Sequence, residues 1–217
     1  MSVLINKDTK VYGSFSHKAG NRGCHFFNAA FEKYGINAIY KSFSVSNIQE
    51  AFAAATTLGF SGWAISMPFK KTALALVDSA AFAAKKCQAI NTVVRDAVTG
   101  KTTGYNTDYI GALEVIQTYR GDAERMFILG NGGLSSAVQV ACMDAGLVPI
   151  VITRKNWNTI ESLRGEMIYN CTPEKVVVDN SNVFLDCAIG TSGGDLLAEY
   201  QSRKQFELYT GQKYVVS

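Results

Sequence analysis

The sequence predicts an α/β protein built from two units. Strand-like and helix-like segments alternate along the whole chain, as they do where helices cover the faces of a parallel sheet. The pattern breaks near Gly121–Asp122 and restarts with an apolar strand at Met126. A length of 217 residues fits one large domain or two small ones.

The elements follow in order. Lys10–Ser14 is a short strand candidate. Cys24–Tyr34 places Phe26, Phe27, Ala30 and Phe31 at helical spacing and stops at Gly35. Ala38–Phe43 alternates and reads as a strand. Ser46 is positioned to cap a helix running through Thr57, with Gln49 completing a capping box. On that helix Ile48, Ala51, Phe52 and Ala55 share one face. Gly62–Ser66 reads as a buried strand cut by Pro68, and helical segments follow over Lys70–Val77 and Ser79–Cys87. Asn91–Arg95 and Thr102–Asn106 flank a turn containing Gly100 and predict a hairpin. Thr107–Arg120 reads as a long helix. In the second unit, Met126–Leu129 is an apolar strand, Gly130–Gly133 a tight turn, and Leu134–Ala145 a helix with Gly146 past its end. Val148–Thr153, Met167–Asn170 and Val183–Asp186 read as strands. Leu196–Tyr209 is a final helix, on which Phe206 and Tyr209 read as core residues in preference to interface ones, because an amphipathic final helix usually packs within its own chain.

Composition excludes several classes. Hydrophobic residues make up 47% and charged residues 18%, too apolar for a disordered chain. Three prolines and 19 glycines exclude collagen-like or proline-rich sequence. No apolar run approaches the ~18–20 residues that cross a bilayer, so no membrane is expected as a partner. The net charge of +3 is scattered, without the dense Lys/Arg face of a nucleic-acid binder, while a small anionic ligand is compatible with it. Cys24, Cys87, Cys142, Cys171 and Cys187 form no CxxC, are odd in number and mostly lie in apolar contexts. They are expected to be reduced core residues of a cytoplasmic protein. The N-terminus carries no secretory pattern. With only His17 and His25, no His-rich metal site is expected.

Two groups of residues carry chemistry. Gly130-Asn131-Gly132-Gly133-Leu134-Ser135-Ser136 follows an apolar strand and opens a helix. Such a turn lets backbone N–H groups approach a diphosphate, and the helix N-terminus favours negative charge. Ser135 stands where a third glycine is usual, small enough for close packing. The strand that follows ends in Thr153-Arg154-Lys155, where NAD binders carry an acidic residue for the ribose 2′-OH. Arg154 would pair with a 2′-phosphate, so NADP is the expected cofactor, unless both cations are solvated loop residues. Tyr200–Lys204 matches YxxxK, but it lies too close after the glycines and too much chain precedes them for a short-chain dehydrogenase. In the first unit Ser66–Lys70, Ala89–Thr92 and Gly104–Asp108 sit at strand ends or helix starts, where ligands of α/β folds gather. A Lys and an Asp brought together can exchange a proton with a hydroxyl–ketone pair. Alone, Asp108 could cap its helix and Lys70 could be a surface residue.

The ordered set SMPFK (66–70), AINTV (89–93), YNTDYIG (105–111), the GxGG turn, TRK (153–155), YNCTP (169–173) and QxxxQFELYTG (201–211) resembles the shikimate dehydrogenase family. It is similar in particular to the shikimate dehydrogenase-like branch, in which SMPFK replaces the common TIPHK. The resemblance covers nearly the whole chain. It implies an N-terminal substrate-binding α/β domain over 1–110, an abridged Rossmann-type NADP-binding domain over 111–190, and a C-terminal helix, 191–217, returning to the first. It implies reversible reduction of 3-dehydroshikimate to shikimate by NADPH, with Lys70 as the catalytic lysine and Asp108 as its partner. Ser66, Asn91 and Gln201 would bind substrate hydroxyls. Gly130, Asn131, Gly132, Gly133, Leu134, Thr153, Arg154 and Lys155 would hold the cofactor, with Asn170 and Thr172 near its nicotinamide half. The SxSP loop that holds the substrate carboxylate in the family is not matched: alignment puts Asn21 and Gly23 where its serines belong, and Ser14 and Ser16 are the alternative, with Lys18 or Arg22 supplying charge. Only Cys-Ala-Ile-Gly-Thr-Ser-Gly separates Asp186 from Gly194, so a helix and a strand are expected to be absent. Quinate or aminoshikimate dehydrogenase, a binding module without turnover, and a homodimer all stay open.

Overall fold

The computed structural model describes residues 5–188 and 190–215. The chain divides into two compact units, one of Met1–Asn106 with Ser202–Ser217, the other of Thr107–Gln201.

In the first unit β1 (Lys10–Ser16) lies between β2 (Ala38–Ser44) and β3 (Gly62–Ile65), all three parallel. The predicted hairpin, β5 (Thr92–Arg95) and β6 (Thr102–Tyr105), adds antiparallel strands beside β3. The two-residue β4 (Ser79–Ala80) closes the edge parallel to β6. The six-stranded sheet, ordered β2-β1-β3-β5-β6-β4, is therefore mixed and not wholly parallel. Side chains alternate across β1 and split the core in two. Tyr12 packs with Phe27 and Phe31 of α1 (Arg22–Lys33), and Phe15 packs with Ile48 and Phe52 of α2 (Ile48–Thr57) and with Trp63.

Three local expectations are corrected. Helix α2 is capped by Asn47 and not by Ser46. Asn47 has extended backbone, and its side-chain oxygen accepts from the N–H groups of Gln49 (2.9 Å) and Glu50 (3.3 Å). Lys70–Val77 forms only a 3-10 turn, Thr72–Leu76, because Val77 is already extended and five residues are too few to nucleate an α-helix. Ser79 and Ala80 pair with Thr103 and Gly104, so α3 begins only at Phe82 and runs to Cys87.

The second unit opens with α4 (Thr107–Tyr119). Its sheet has four parallel strands, β7 (Arg125–Leu129), β8 (Val148–Ile152), β9 (Met167–Asn170) and β10 (Val183–Asp186), ordered β10-β9-β7-β8. Helix α5 (Gly133–Asp144) joins β7 to β8 and packs, with α4, on the face carrying Met126 and Ile128. The other face, with Phe127, Leu129 and Ile152, is covered by Ile160 and Leu163 from the β8–β9 connection. That connection is a 3-10 segment, Arg154–Ser162, where a parallel crossover ordinarily carries an α-helix. Among the described residues no helix or strand separates β10 from α6 (Ser192–Thr210), so the sheet is short as expected. Helix α6 is shared. Up to Gln201 it belongs to the second unit, where Leu197 fills the space left by Gly111 of α4. From Ser202 it belongs to the first, where Phe206 and Tyr209 join the α1 cluster.

All five cysteines are thiols. Cys87 and Cys142 are buried, while Cys24, Cys171 and Cys187 are half-buried. Burial pushes the Cys142 thiol up to about 11. No helix among the described residues is long and apolar enough to cross a membrane, and no cluster of three or more His, Cys, Asp or Glu could hold a metal ion.

Candidate active site

In the first unit, backbone bonds stitch the predicted substrate residues together at the C-terminal ends of the parallel strands. His17 N donates to Met67 O (3.1 Å) and Ser66 N to Phe15 O (2.9 Å), joining the end of β1 to the SMPFK turn. Ile90 N donates to Lys70 O (2.9 Å) and Ile65 N to Asn91 O (2.8 Å), adding the AINTV segment. The Asn106 amide donates to Ala89 O (3.0 Å) and fixes the chain two residues before Asp108. Ser14, Ser16, Ser66, Lys70 and Asn91 thus stand on adjacent strand ends. Ser66 is exposed, Lys70 and Ser14 are half-buried, and Ser16 and Asn91 are buried. Asn21 is exposed just before α1, and its side chain makes no capping bond.

Two residues that sequence reasoning missed shape this group. The Tyr40 ring stacks on Phe27, with centroids 4.5 Å apart, and its hydroxyl bonds to Ser14. Burial holds the Tyr40 phenol well above its ordinary range. A Cβ on Gly23 would come within 2.8 Å of that ring. A glycine therefore stands where the family resemblance expects a serine, because the stacked tyrosine leaves it no room. The second is Gln205, whose amide donates to Thr92 Oγ (2.9 Å) and Asn91 O (3.4 Å); Thr92 Oγ in turn donates to the Asn91 side-chain oxygen (2.9 Å). Its signal was present: Gln205 lies four residues after Gln201, on the same face of α6. Gln201 itself belongs to the second unit and is half-buried.

In the second unit the glycine turn, Thr153–Lys155 and Asn170–Thr172 follow three adjacent parallel strands, β7, β8 and β9, at one end of the sheet. The β7/β9 boundary is where the strand order reverses, the usual ligand position of an open α/β sheet. Gly130 has φ +96°, and a Cβ there would lie 2.7 Å from the Thr172 methyl. Ser135 is fully buried and donates to Gly130 O (2.7 Å), so the third small position ties the turn to α5. Gly132 caps α5 without a side-chain bond. Asn131 and Gly132 are exposed, and Gly133 and Leu134 are half-buried.

Thr153 caps the 3-10 segment. Its hydroxyl accepts from Lys155 N (3.4 Å), and the Asn156 side chain accepts from Thr153 N (2.8 Å), leaving Arg154 and Lys155 exposed beside it. Asn170 is placed differently from the expectation of a cofactor ligand. It is fully buried, donates to Glu174 O (3.0 Å) and Asp186 Oδ1 (3.3 Å), and accepts from Thr172 N (3.0 Å) and Oγ (2.7 Å). Its amide is taken up in shaping the loop that carries Thr172. Asp108 is buried in the first turn of α4, within electrostatic reach of the Tyr169 hydroxyl. Burial is the largest cause holding the Tyr169 phenol well above its ordinary value, and that hydroxyl has no hydrogen-bond partner among the described residues. A depression lined by Glu124, Arg125 and Glu166 lies at the opposite, N-terminal ends of β7 and β9 and is no part of this site.

Comparison with known proteins points the same way. Residues 22–93 match the family described as the shikimate dehydrogenase substrate binding domain. A shikimate dehydrogenase-like protein of Haemophilus influenzae is 28% identical over 256 aligned positions, which cover 97% of this chain and 94% of the relative. The alignment is longer than the chain, so that relative has segments this one lacks. The shikimate dehydrogenase (NADP(+)) of Caldanaerobacter subterraneus is 30% identical over 166 positions, covering 74% of this chain but only 59% of its own length. The solved structure of a shikimate 5-dehydrogenase-like protein superposes with a TM-score of 0.81 at 27% identity, over 98% of this chain and 95% of that one.

Proposed function

We propose that this chain, which is similar to shikimate dehydrogenases over nearly its whole length, is an oxidoreductase interconverting 3-dehydroshikimate and shikimate with NADPH. The observation that carries the reading is the glycine turn. Gly130 leaves no space for a side chain, the turn lies where the strand order reverses, and two exposed cations follow the neighbouring strand. The N–H groups opening α5 suit a diphosphate, and Arg154 and Lys155 suit a ribose 2′-phosphate, which an acidic residue would repel. These residues fit the cofactor named for the Caldanaerobacter relative. NADPH, when bound, supplies the hydride.

The chain supplies binding and the proton. Lys70 Nζ donates the proton that the substrate oxygen gains as ketone becomes hydroxyl, which also stabilises the charge developing there. The Asp108 carboxylate is its partner in that transfer. Ser66, Asn91 and Gln201 bind the ring hydroxyls. Ser14, Ser16 and Asn21 bind the carboxylate, Tyr40 orienting Ser14. Asn170 acts through Thr172. A cytoplasmic setting agrees with five cysteines in thiol form.

The test is NADPH oxidation with 3-dehydroshikimate. Lys70→Ala and Asp108→Asn should each lower kcat about 10²–10⁴-fold, the ordinary worth of a positioned acid or base. Two variants as active as wild type would sink the assignment of roles. Quinate and aminoshikimate analogues, each tried with NAD and NADP, identify the substrate. One observation favours a module that binds without turnover: the sheet has four strands, with a 3-10 crossover in place of a helix. Calorimetric binding of NADPH and shikimate with no hydride transfer would decide for it.

A further inference from the structure

We propose that Cys171 and Cys187 are a redox-active pair that closes into a disulfide across the ends of β9 and β10, stiffening the loop against which the glycine turn packs. The register brings them together. β9 and β10 are parallel, with Asn170 opposite Asp186, and each cysteine is the next residue on its own strand. Cys187 N donates to Asn170 O (3.1 Å), which carries the pairing up to the cysteines. Both side chains pack against the core on the same face, alongside Tyr169 and Leu185. Neighbouring parallel strands lie about 4.8 Å apart, inside the span a disulfide bridges. Cys187 Sγ already leans across the strand gap, 3.9 Å from the carbonyl of Thr172, the residue after Cys171. Both thiols are half-buried, open enough for a small oxidant.

Tyr169 adds an independent observation. Its hydroxyl is fully buried without a hydrogen-bond partner among the described residues, and it lies within electrostatic reach of Cys171, Cys187 and Asp108. An unused O–H donor beside two thiols stabilises whichever one ionises, and the thiolate is the reactive form.

The oxidant is a peroxide. One thiolate attacks a peroxide oxygen; the O–O bond breaks, the departing hydroxide takes a proton to become water, and the sulfur is left as a sulfenic acid. The second thiolate attacks that sulfur, the S–S bond forms, the S–O bond breaks, and a second water leaves. Two thiols and one hydrogen peroxide become one disulfide and two waters. The new bond draws Cys187 towards Cys171 and restrains Thr172, whose methyl faces Gly130. The effect on the cofactor rests on the dinucleotide reading above; the cross-link itself does not.

The experiment treats the full chain with hydrogen peroxide and maps peptides without reduction. The expected result is a 171–187 linkage, reversed by dithiothreitol and absent from Cys187→Ser. Calorimetry before and after oxidation should show NADPH affinity changed by at least about fivefold in wild type, the lower end of ordinary coupling between sites, and unchanged in Cys187→Ser. Separate sulfinic acids with no linkage, or a linkage that leaves affinity unmoved, overturn the proposal. If reduced wild type binds no NADPH at all, the functional reading fails while the mapped linkage still stands, so the two failures are told apart.

Discussion

Gly130 shows how much one residue can decide. Its φ of +96° suits glycine alone, and a Cβ there would press on the Thr172 methyl at 2.7 Å. Gly130→Ala should therefore lose about 1–3 kcal/mol, the ordinary cost of such backbone strain, before the crowding is counted. Urea denaturation measures it, and an alanine variant as stable as wild type would mean that the turn relaxes freely. This position was legible in the sequence because an apolar strand, a glycine run and a helix follow one another without a gap. Ser135 was legible only as a small residue; its bond to Gly130 O depends on a turn geometry that no spacing encodes. The Tyr40–Gly23 packing and the Tyr169 surroundings were not legible, since each needs residues that only strand pairing or helix packing brings together.

Among the elements, α2 and the Asp78 loop make opposite points about polar side chains. Helix α2 was legible from the spacing of Ile48, Phe52 and Ala55, yet its cap is one residue later than a capping-box pattern places it. Asn47→Ala should cost about 1 kcal/mol, whereas Ser46→Ala should stay within about 0.5, and thermal denaturation of the two variants separates the claims. The Asp78 carboxylate accepts from both Thr102 N (2.7 Å) and Thr102 Oγ (2.8 Å), which ties the loop before β4 to β6. Those bonds hold its pKa below the ordinary 3.8. A carboxyl depressed in the folded state stabilises it above the unfolded value and loses that contribution as pH falls through the folded one. Asp78→Asn should thus be less stable than wild type near neutrality, with the gap closing below about pH 4. The 3-10 segment Arg154–Ser162 was invisible beforehand, because Trp157 and Ile160 alone are too few apolar residues to set a period.

At the scale of the molecule, alternation of strand and helix was enough to read two α/β units and the shortened second sheet, because every strand of that sheet holds an apolar run of three to five residues. The mixed first sheet was partly legible, through the hairpin around Gly100. The division of α6 between the units was not, since one continuous helix carries no boundary signal in its pattern. Phe206 is fully buried among Phe31, Tyr34 and Tyr214. Phe206→Ala should cost about 3–5 kcal/mol, read by urea denaturation followed at an aromatic fluorescence signal.

The same arrangement bears on how the protein is made. Tyr12 of β1, synthesised long before α6, donates its hydroxyl to the carbonyl of Tyr209 (3.0 Å), and the Tyr209 ring fills the space beside Gly62. A nascent chain must therefore carry its first sheet with one face covered only by α1 until α6 has cleared the ribosome. During that interval Tyr12, Phe27 and Phe31 are exposed to holdase chaperones and to neighbouring nascent chains, and translational pausing shortly before Phe206 would lengthen the exposure.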